Sequence, residues 1–398
     1  MTITESSPAL ATDTTQRLFL AQDASYRAHT ESYGSLPGAG GVLRAIADSG
    51  LTGRGGSGFP TWRKIESVKD ARRPVVVANG SEGEPASRKD ATLLTHAPHL
   101  VLDGLVIVAE ALGASMHLAT PGARTAAVQR AIAERGARVR VTEVVERFIS
   151  GEESAVVAAI NGRLPLPADR FTRVWERGVE GRPTVVLNVE TLAHIALIAR
   201  YGAAWFRALG DHDDPGTFLA TVSPAMNSSD WNPAVYELAR GTHLRTFLHD
   251  AGFAAPRAVL VGGYHGAWLT GDALDHATLS RPGLAPHGAT PGAGVLIPIE
   301  HQCGLRETSR ILDYMAAEVA GQCGPCVNGL PALASHFRDL AGGRASTVTM
   351  DELHRISGLV RGRGACSHPD GTARLAASAL TAFADDVEHH LSGGCRVL

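Results

Sequence analysis

The sequence predicts a parallel α/β domain, then a small, mostly β module, then a terminal bundle of helices. Three observations carry that prediction. From about residue 50 to 225, short apolar runs alternate with helical periods, the pattern of strands and crossover helices. From about 226 to 300 the apolar runs sit between Gly/Pro turns without long helical periods. From Glu307 onward helical spacing returns, joined by Gly-rich turns, which fits about four packed helices.

Residues 1–45 are polar and mixed, broken at Tyr33-Gly34 and Pro37-Gly38, and read as an N-terminal arm. Val75–Ala78 reads as a short buried strand and Ala97–Leu112 as an apolar helix. Met116–Ala119 is a strand, Ala123–Arg135 a helix after the Pro121-Gly122 breaker, and Arg138–Val145 a strand. Gly151–Asn161 and Val189–Tyr201 are further helices, while Ala258–Val261 and Val295–Pro298 are strands of the small module. Ile311–Val319, Leu330–Leu340, Met350–Val360 and Ala373–Leu391 form the bundle. The expected domains are therefore 1–45, 46–230, 231–302 and 303–398.

The 398 residues suffice for roughly two to three domains, and 44% hydrophobic content excludes a wholly disordered chain. A formal charge of −3 offers no bulk attraction to nucleic acid. The first thirty residues hold no apolar stretch behind basic residues, so no secretory signal is expected. Leu100–Leu112, the most apolar stretch, is interrupted by Asp103 and Glu110 and is too short to span a bilayer. Five cysteines, all late and unevenly spaced, argue for reduced or metal-bound thiols in a cytoplasmic protein. Lys64, Lys69 and Lys89 are the only lysines, arginine supplying the rest of 37 basic residues. A retained lysine points to a site that needs a compact ammonium, although chance survival explains three equally well.

Four segments could carry chemistry. Gly53-Arg54-Gly55-Gly56-Ser57-Gly58-Phe59-Pro60-Thr61, leading to Lys64, has the glycine density of a phosphate cradle. It matches neither the G-x-G-x-x-G nor the P-loop pattern. A simple turn would account for the glycines, but Phe59 and Trp62 add rings that can stack on a ligand. Asn79-Gly80-Ser81-Glu82-Gly83-Glu84-Pro85 follows a strand, where open α/β sheets bind ligands. Ser150-Gly151-Glu152-Glu153-Ser154 and Asn188-Val189-Glu190-Thr191 open helices, and stabilising a helix N-terminus would explain their polar residues without any ligand. Late in the chain stand Cys323-Gly324-Pro325-Cys326, Cys366 and Cys395, able to hold zinc, an iron–sulfur cluster or a redox disulfide. Cys303 is isolated and reads as structural.

Together these motifs closely resemble the NADH-binding FMN/iron–sulfur flavoprotein subunit of respiratory complex I. The same family includes the diaphorase subunits of NAD-linked hydrogenases and formate dehydrogenases. The resemblance covers roughly residues 45–398. It implies a Rossmann-like FMN/NADH domain, a β-grasp domain and a helical iron–sulfur domain. By match, Gly53, Arg54, Gly55, Gly56 and Lys64 would hold the FMN phosphate and ribityl chain, and Asn79, Glu82 and Asn188 would contact FMN. Phe59 would stack on the dinucleotide, with Glu84, Glu152 and Glu153 around it and Glu84 positioning nicotinamide as the best catalytic candidate. Carboxylates there favour NADH over NADPH.

The sequence departs from the family pattern at several points. Ser81 replaces an Asp and Leu187 an Asn, Arg163 stands for a lysine, and Leu166 replaces an aromatic residue. Ala320 stands where the first cluster cysteine belongs, leaving Cys323, Cys326 and Cys366 as metal ligands. The resemblance then leaves a three-iron (3Fe-4S) cluster, a 4Fe-4S cluster completed by His368, Asp370 or Cys395, or no cluster.

The expected activity is that of an NADH dehydrogenase (diaphorase) that takes hydride onto FMN. It would pass single electrons through the cluster to a partner such as a ferredoxin or another electron-transfer subunit, since the chain carries no ferredoxin-type domain. The alternatives are a non-catalytic assembly subunit that has lost FMN, and a flavin reductase with a structural metal. No nucleic acid and no membrane insertion are expected.

Overall fold

A computed structural model describes residues 16–169, 171–225 and 232–397. Contacts divide the chain into two compact units. The first runs to Thr221 and includes Ala234–Thr242, while the second consists mainly of His243 onward.

The first unit is built on four strands, β1 (Val75–Asn79), β2 (Ser115–Pro121), β3 (Val139–Val144) and β4 (Thr184–Asn188), in the order β3-β2-β1-β4. All the pairings are parallel. β1 is buried along its whole length, so it reads as a continuous valine run rather than as an alternation. The chain moves outward from β1 to β2 to β3 and then returns to the other side of β1. The β1/β4 boundary is thus the topological switch point, where ligands of open α/β sheets bind beyond the carboxyl ends of the strands.

Helices α1 (Tyr26–Tyr33), α2 (Val42–Ser49), α3 (Thr61–Glu66), α4 (Lys89–His96), α5 (Pro98–Leu112), α6 (Gly122–Arg135), α7 (Glu153–Ile160) and α8 (Val189–Arg207) belong to the same unit. α5 is apolar around its circumference and largely buried, as such a helix must be. It crosses α8 so closely that a Cβ on Gly104 would overlap the Leu192 carbonyl oxygen. The described part of the segment expected as an arm contributes Leu18, Tyr33 and Val42 to this core. β5 (Thr217–Val222) and β6 (Ala234–Ala239) lie side by side.

In the second unit β7 (Ala258–Val261) pairs antiparallel with both β8 (Ala267–Thr270) and β9 (Val295–Ile299). Short helices α9 (Leu244–Asp250), α10 (Gly271–His276) and α11 (Arg281–Leu284) accompany them. The bundle comprises α12 (Gly304–Ala317), α13 (Leu330–Ala341), α14 (Thr347–Val360), α15 (His368–Ala382) and α16 (Ala384–Leu391). The single helix expected over Ala373–Leu391 is broken at Phe383, which leaves helical geometry (φ −116°, ψ 34°). Phe383 turns its buried ring edge-on to Trp268, at 5.2 Å between centroids. The ring also packs where any side chain on Gly304 would lie. Tertiary packing of one aromatic residue therefore overrides a helical sequence pattern. Among the described residues no single helix is long and apolar enough to cross a membrane.

Candidate functional site

The switch point gathers the expected polar residues. Asn79 and Asn188 end β1 and β4 as register partners. Asn79 Nδ2 donates to the Gly151 carbonyl (3.0 Å) and its Oδ1 accepts from the Ser81 amide (3.0 Å). Asn188 caps α8, its Oδ1 accepting from the Glu190 amide (3.0 Å), while its Nδ2 donates to Asp90 (2.7 Å). The glycine loop is closed by a bond from the Gly53 amide to the Phe59 carbonyl (2.9 Å). It is joined to α8 by one from the Arg54 amide to Thr191 Oγ1 (2.9 Å). Gly56 (φ 107°) and Gly58 (φ 56°) take left-handed backbone, which the tight loop requires and which only glycine adopts freely. A Cβ on Gly55 would stand 3.3 Å from Asn188 Cβ, so the loop lies directly against the end of β4. The Phe59 ring is exposed and so available for stacking.

Lys64 Nζ bonds Glu153 at 2.6 Å, bringing two expected site residues together. Arg54 departs from expectation. Its side chain is buried and donates to the carbonyls of Pro215 (3.2 Å) and Thr217 (3.0 Å), so its charge braces β5 and only its backbone belongs to the loop. Lys64, by contrast, keeps its ammonium partly exposed. Glu82 is likewise engaged, accepting from the amides of Asp90 and Ala91, both at 3.0 Å, and so closing the N-terminus of α4. Glu152 caps α7 through the amides of Ser154 (2.9 Å) and Ala155 (3.2 Å). Burial pushes its carboxyl above the usual range, partly offset by those bonds. Glu84 is half-buried in the same turn.

Two features of the site escaped the sequence reading. One is a buried charge cluster in which Lys89 Nζ meets Asp90 (2.6 Å) and Glu190 (3.1 Å). Burial alone would lower the lysine, but these carboxylates hold it above its ordinary value. Burial opposes ionisation of Glu190, yet Lys89 holds its carboxyl down to about 2. Asp90 is pushed up to about 6 by burial and by its carboxylate neighbours, Lys89 only partly offsetting them. The scarcity of lysine, with Lys89 one of only three, was the signal that could have found this cluster. The other is a set of buried hydroxyl oxygens, Ser81 Oγ, Thr120 Oγ1 and Ser150 Oγ, with no hydrogen-bond partner among the described residues. They stand just after β1, near the end of β2 and in the turn before Gly151. Buried polar groups are normally satisfied, so a polar ligand at the switch point fits them. FMN, with its ribityl hydroxyls and phosphate, has the matching chemistry.

In the second unit Cys326 lies within the wide helical turn Pro325–Gly329, and Cys366 just before α15. Burial and the neighbouring thiols Cys323 and Cys366 push Cys326 up to about 12. Burial works against ionisation of Cys323, but the amides of Ala365 and Cys326 hold it below its ordinary value. Cys326 thus has both Cys323 and Cys366 as neighbours, and three cysteine thiols are a donor set that fits an iron–sulfur cluster. Each residue weighed for a fourth ligand has a partner in the fold. Asp370 accepts from the Gly362 amide (2.6 Å), His368 Nε2 bonds the Met315 carbonyl (2.9 Å), and Cys395 lies beside Cys303 and His390.

Comparison with known proteins agrees with this arrangement. Residues 46–197 match the family described as the Nuo51 FMN-binding domain. Residues 306–390 match the NADH-ubiquinone oxidoreductase-F iron–sulfur binding region. The NADH-quinone oxidoreductase F subunit of Streptomyces coelicolor is 30% identical over 381 residues, covering 89% of this chain and 84% of that protein. Its counterpart from Mycobacterium bovis is 31% identical over 383 residues, covering 89% and 85%. A crystal structure of an NAD+-reducing [NiFe]-hydrogenase in the H2-reduced state superposes with a TM-score of 0.80 at 27% identity. That match takes in 89% of this chain, which spans only 62% of the hydrogenase chain. By its identity to those subunits over nearly their whole length, with both family regions in order, this chain belongs to the family of NADH-quinone oxidoreductase F subunits.

Proposed function

We propose that this chain is the NADH-oxidising flavoprotein of an electron-transfer assembly, an FMN-dependent oxidoreductase that delivers electrons singly through an iron–sulfur cluster. The observation that carries the reading is the set of unpartnered buried hydroxyls, Ser81, Thr120 and Ser150, around the carboxyl ends of β1 and β2 in a region that matches the flavin-binding family. When bound, FMN accepts a hydride and releases electrons one at a time, and an iron–sulfur centre takes them singly.

The residues of the chain bind and orient. The glycine loop and Lys64 receive the FMN phosphate, Lys64 exchanging its bond to Glu153 for the phosphate. Ser81 and Ser150 would bond the polar edge of the flavin and its ribityl chain, beside Asn79 and Asn188, whose side-chain amides are already bonded within the chain. Phe59 stacks on the dinucleotide, while Glu84 and Glu153 accept from its ribose hydroxyls and repel a 2′-phosphate, favouring NADH. Glu82 and Glu152 act indirectly, by fixing the N-termini of α4 and α7. Cys323, Cys326 and Cys366 hold the cluster.

On this reading residues 46–230 form the Rossmann-like FMN/NADH domain, 231–302 a β-grasp domain and 303–398 the cluster domain. The protein works in the cytoplasm, and a ferredoxin or a further reductase subunit accepts the electrons. An anaerobic absorbance spectrum before and after NADH tests the proposal. Flavin bands that bleach, over a broad iron–sulfur shoulder, are expected. Bleaching without the shoulder leaves a flavin reductase, and a colourless protein that refuses FMN leaves an assembly subunit.

A further inference from the structure

Cys303 and Cys395 belong to neither the flavin motifs nor the three-cysteine set, yet the fold brings them together around a histidine. Cys303 is the buried N-cap residue of α12, its thiol facing the amides of Leu305 and Arg306. His390, on α16, is also buried. Its Nδ1 lies 3.1 Å from the Leu340 carbonyl oxygen. A carbonyl only accepts, so Nδ1 carries the proton and the Nε2 lone pair is left facing Cys303 Sγ, 3.5 Å away. Beyond α16, Gly393 takes left-handed backbone (φ 82°) and the Gly394 amide donates to the His389 carbonyl (3.0 Å). This turn carries Cys395 back beside His390. Ligand atoms of Cys303, His390 and Cys395 all lie within 4.8 Å of one another.

We propose that Cys303 Sγ, Cys395 Sγ and His390 Nε2 bind one zinc ion, with a water completing the tetrahedron, at a site separate from the iron–sulfur centre. Zn–S bonds of about 2.3 Å and Zn–N bonds of about 2.0 Å place sulfur and nitrogen about 3.5 Å apart across a tetrahedral angle. The Cys303–His390 separation therefore needs no rearrangement. Two thiolates with one imidazole is a donor set that selects zinc over hard cations. The bond from Nδ1 to a backbone carbonyl is the outer contact that orients metal-bound histidines. A simple Cys–His hydrogen bond would explain two of these residues but not the return of Cys395 from the tail. Binding displaces the two thiol protons to solvent and changes no oxidation state. The ion would fasten the C-terminal tail to the start of α12, closing a loop that contains the whole helical bundle.

The test uses the full chain, purified anaerobically with its flavin and cluster from zinc-supplemented growth. Metal analysis is expected to find about one zinc per chain beside the iron, and zinc-edge X-ray absorption about two sulfur neighbours at ~2.3 Å and one nitrogen at ~2.0 Å. Cys395→Ser and His390→Ala should each weaken zinc retention at least about tenfold, with iron, acid-labile sulfide and flavin unchanged. A Cys303–Cys395 disulfide in a non-reducing digest, a protein without zinc, or zinc with only nitrogen and oxygen neighbours would overturn the proposal. So would full zinc retention by Cys395→Ser. The wild-type spectrum decides even if a variant fails to fold.

Discussion

Lys64 and Glu153 bond at 2.6 Å while 28% of each side chain stays in solvent. A partly exposed pair adds only about 0–1 kcal/mol to stability, so on the proposed reading this lysine can exchange its partner for a phosphate. Lys64→Ala is expected to weaken FMN binding about 10- to 100-fold, the equivalent of one charge-assisted hydrogen bond, with an unchanged melting temperature. Flavin titration followed by fluorescence measures it, and undiminished affinity would remove Lys64 from the site. Asp103 shows the opposite economy. In the sequence it merely interrupts an apolar stretch, but in the fold it is a buried hub bonded to His29 (2.7 Å), Arg200 (2.5 Å) and Arg135. Burial disfavours its charge, yet these three partners hold its carboxyl below the usual range. Asp103→Ala leaves two buried guanidinium groups unpaired, and a loss of about 3–5 kcal/mol in denaturant unfolding is expected. No spacing rule identifies such a hub, because its partners come from three other helices, α1, α6 and α8.

At the scale of elements, α5 and α8 approach closely because residue 104 has no side chain. A Cβ at that position would overlap the Leu192 carbonyl, forcing the two helices apart. Gly104→Ala should cost about 3 kcal/mol, the upper end of overpacking effects, seen as a lowered denaturation midpoint with an unchanged slope. A neutral effect would mean that α5 shifts without loss. The apolar character of α5 is plain in the sequence, but the reason for a glycine inside it is not, since the contact comes from a segment about ninety residues away. Glu82, Glu152 and Asn188 teach a related lesson. Their types are legible, and capping was one of the readings allowed for Glu152 and Asn188, which open helices, while Glu82 was read only within the polar turn after a strand. Only the fold shows their oxygens committed to the amides of α4, α7 and α8. The break at Phe383 has the same origin, a ring drawn into the core against Trp268.

For the molecule as a whole, a buried carboxyl sets a pH dependence of stability. Glu237, enclosed in the first unit, accepts from the amides of Arg17 and Leu18, both at 2.9 Å, and meets Thr217 Oγ1 at 2.7 Å. Burial pushes it up from 4.5 to about 7, and these bonds only partly offset the shift. Because the folded chain holds this proton more tightly than the unfolded chain, the contribution is fully present below about pH 4.5. It is lost as pH rises to about 7 and is flat beyond. Glu237→Gln should remove that part of the slope, which melting temperatures measured across this range will show. A slope that persists in the variant would assign it to another group.

Local preference along the chain sets the alternation of strands and helices and the glycine-rich loop. The sequence also supplied the polar turns beyond the strands and the three cysteines in family spacing. These are properties of local backbone preference and of residue type, and they were enough to recognise the family. Only the tertiary structure decided which of these groups faces a ligand and which closes a helix. It turned Arg54 inward to the carbonyls of Pro215 and Thr217, enclosed Lys89 among carboxylates, and left three hydroxyls unsatisfied at the switch point. It also drew Cys395 away from the cluster cysteines to Cys303 and His390. Each of these outcomes depends on partners distant in the chain, and it is packing, not spacing along the sequence, that sets where a buried polar group finds its bond.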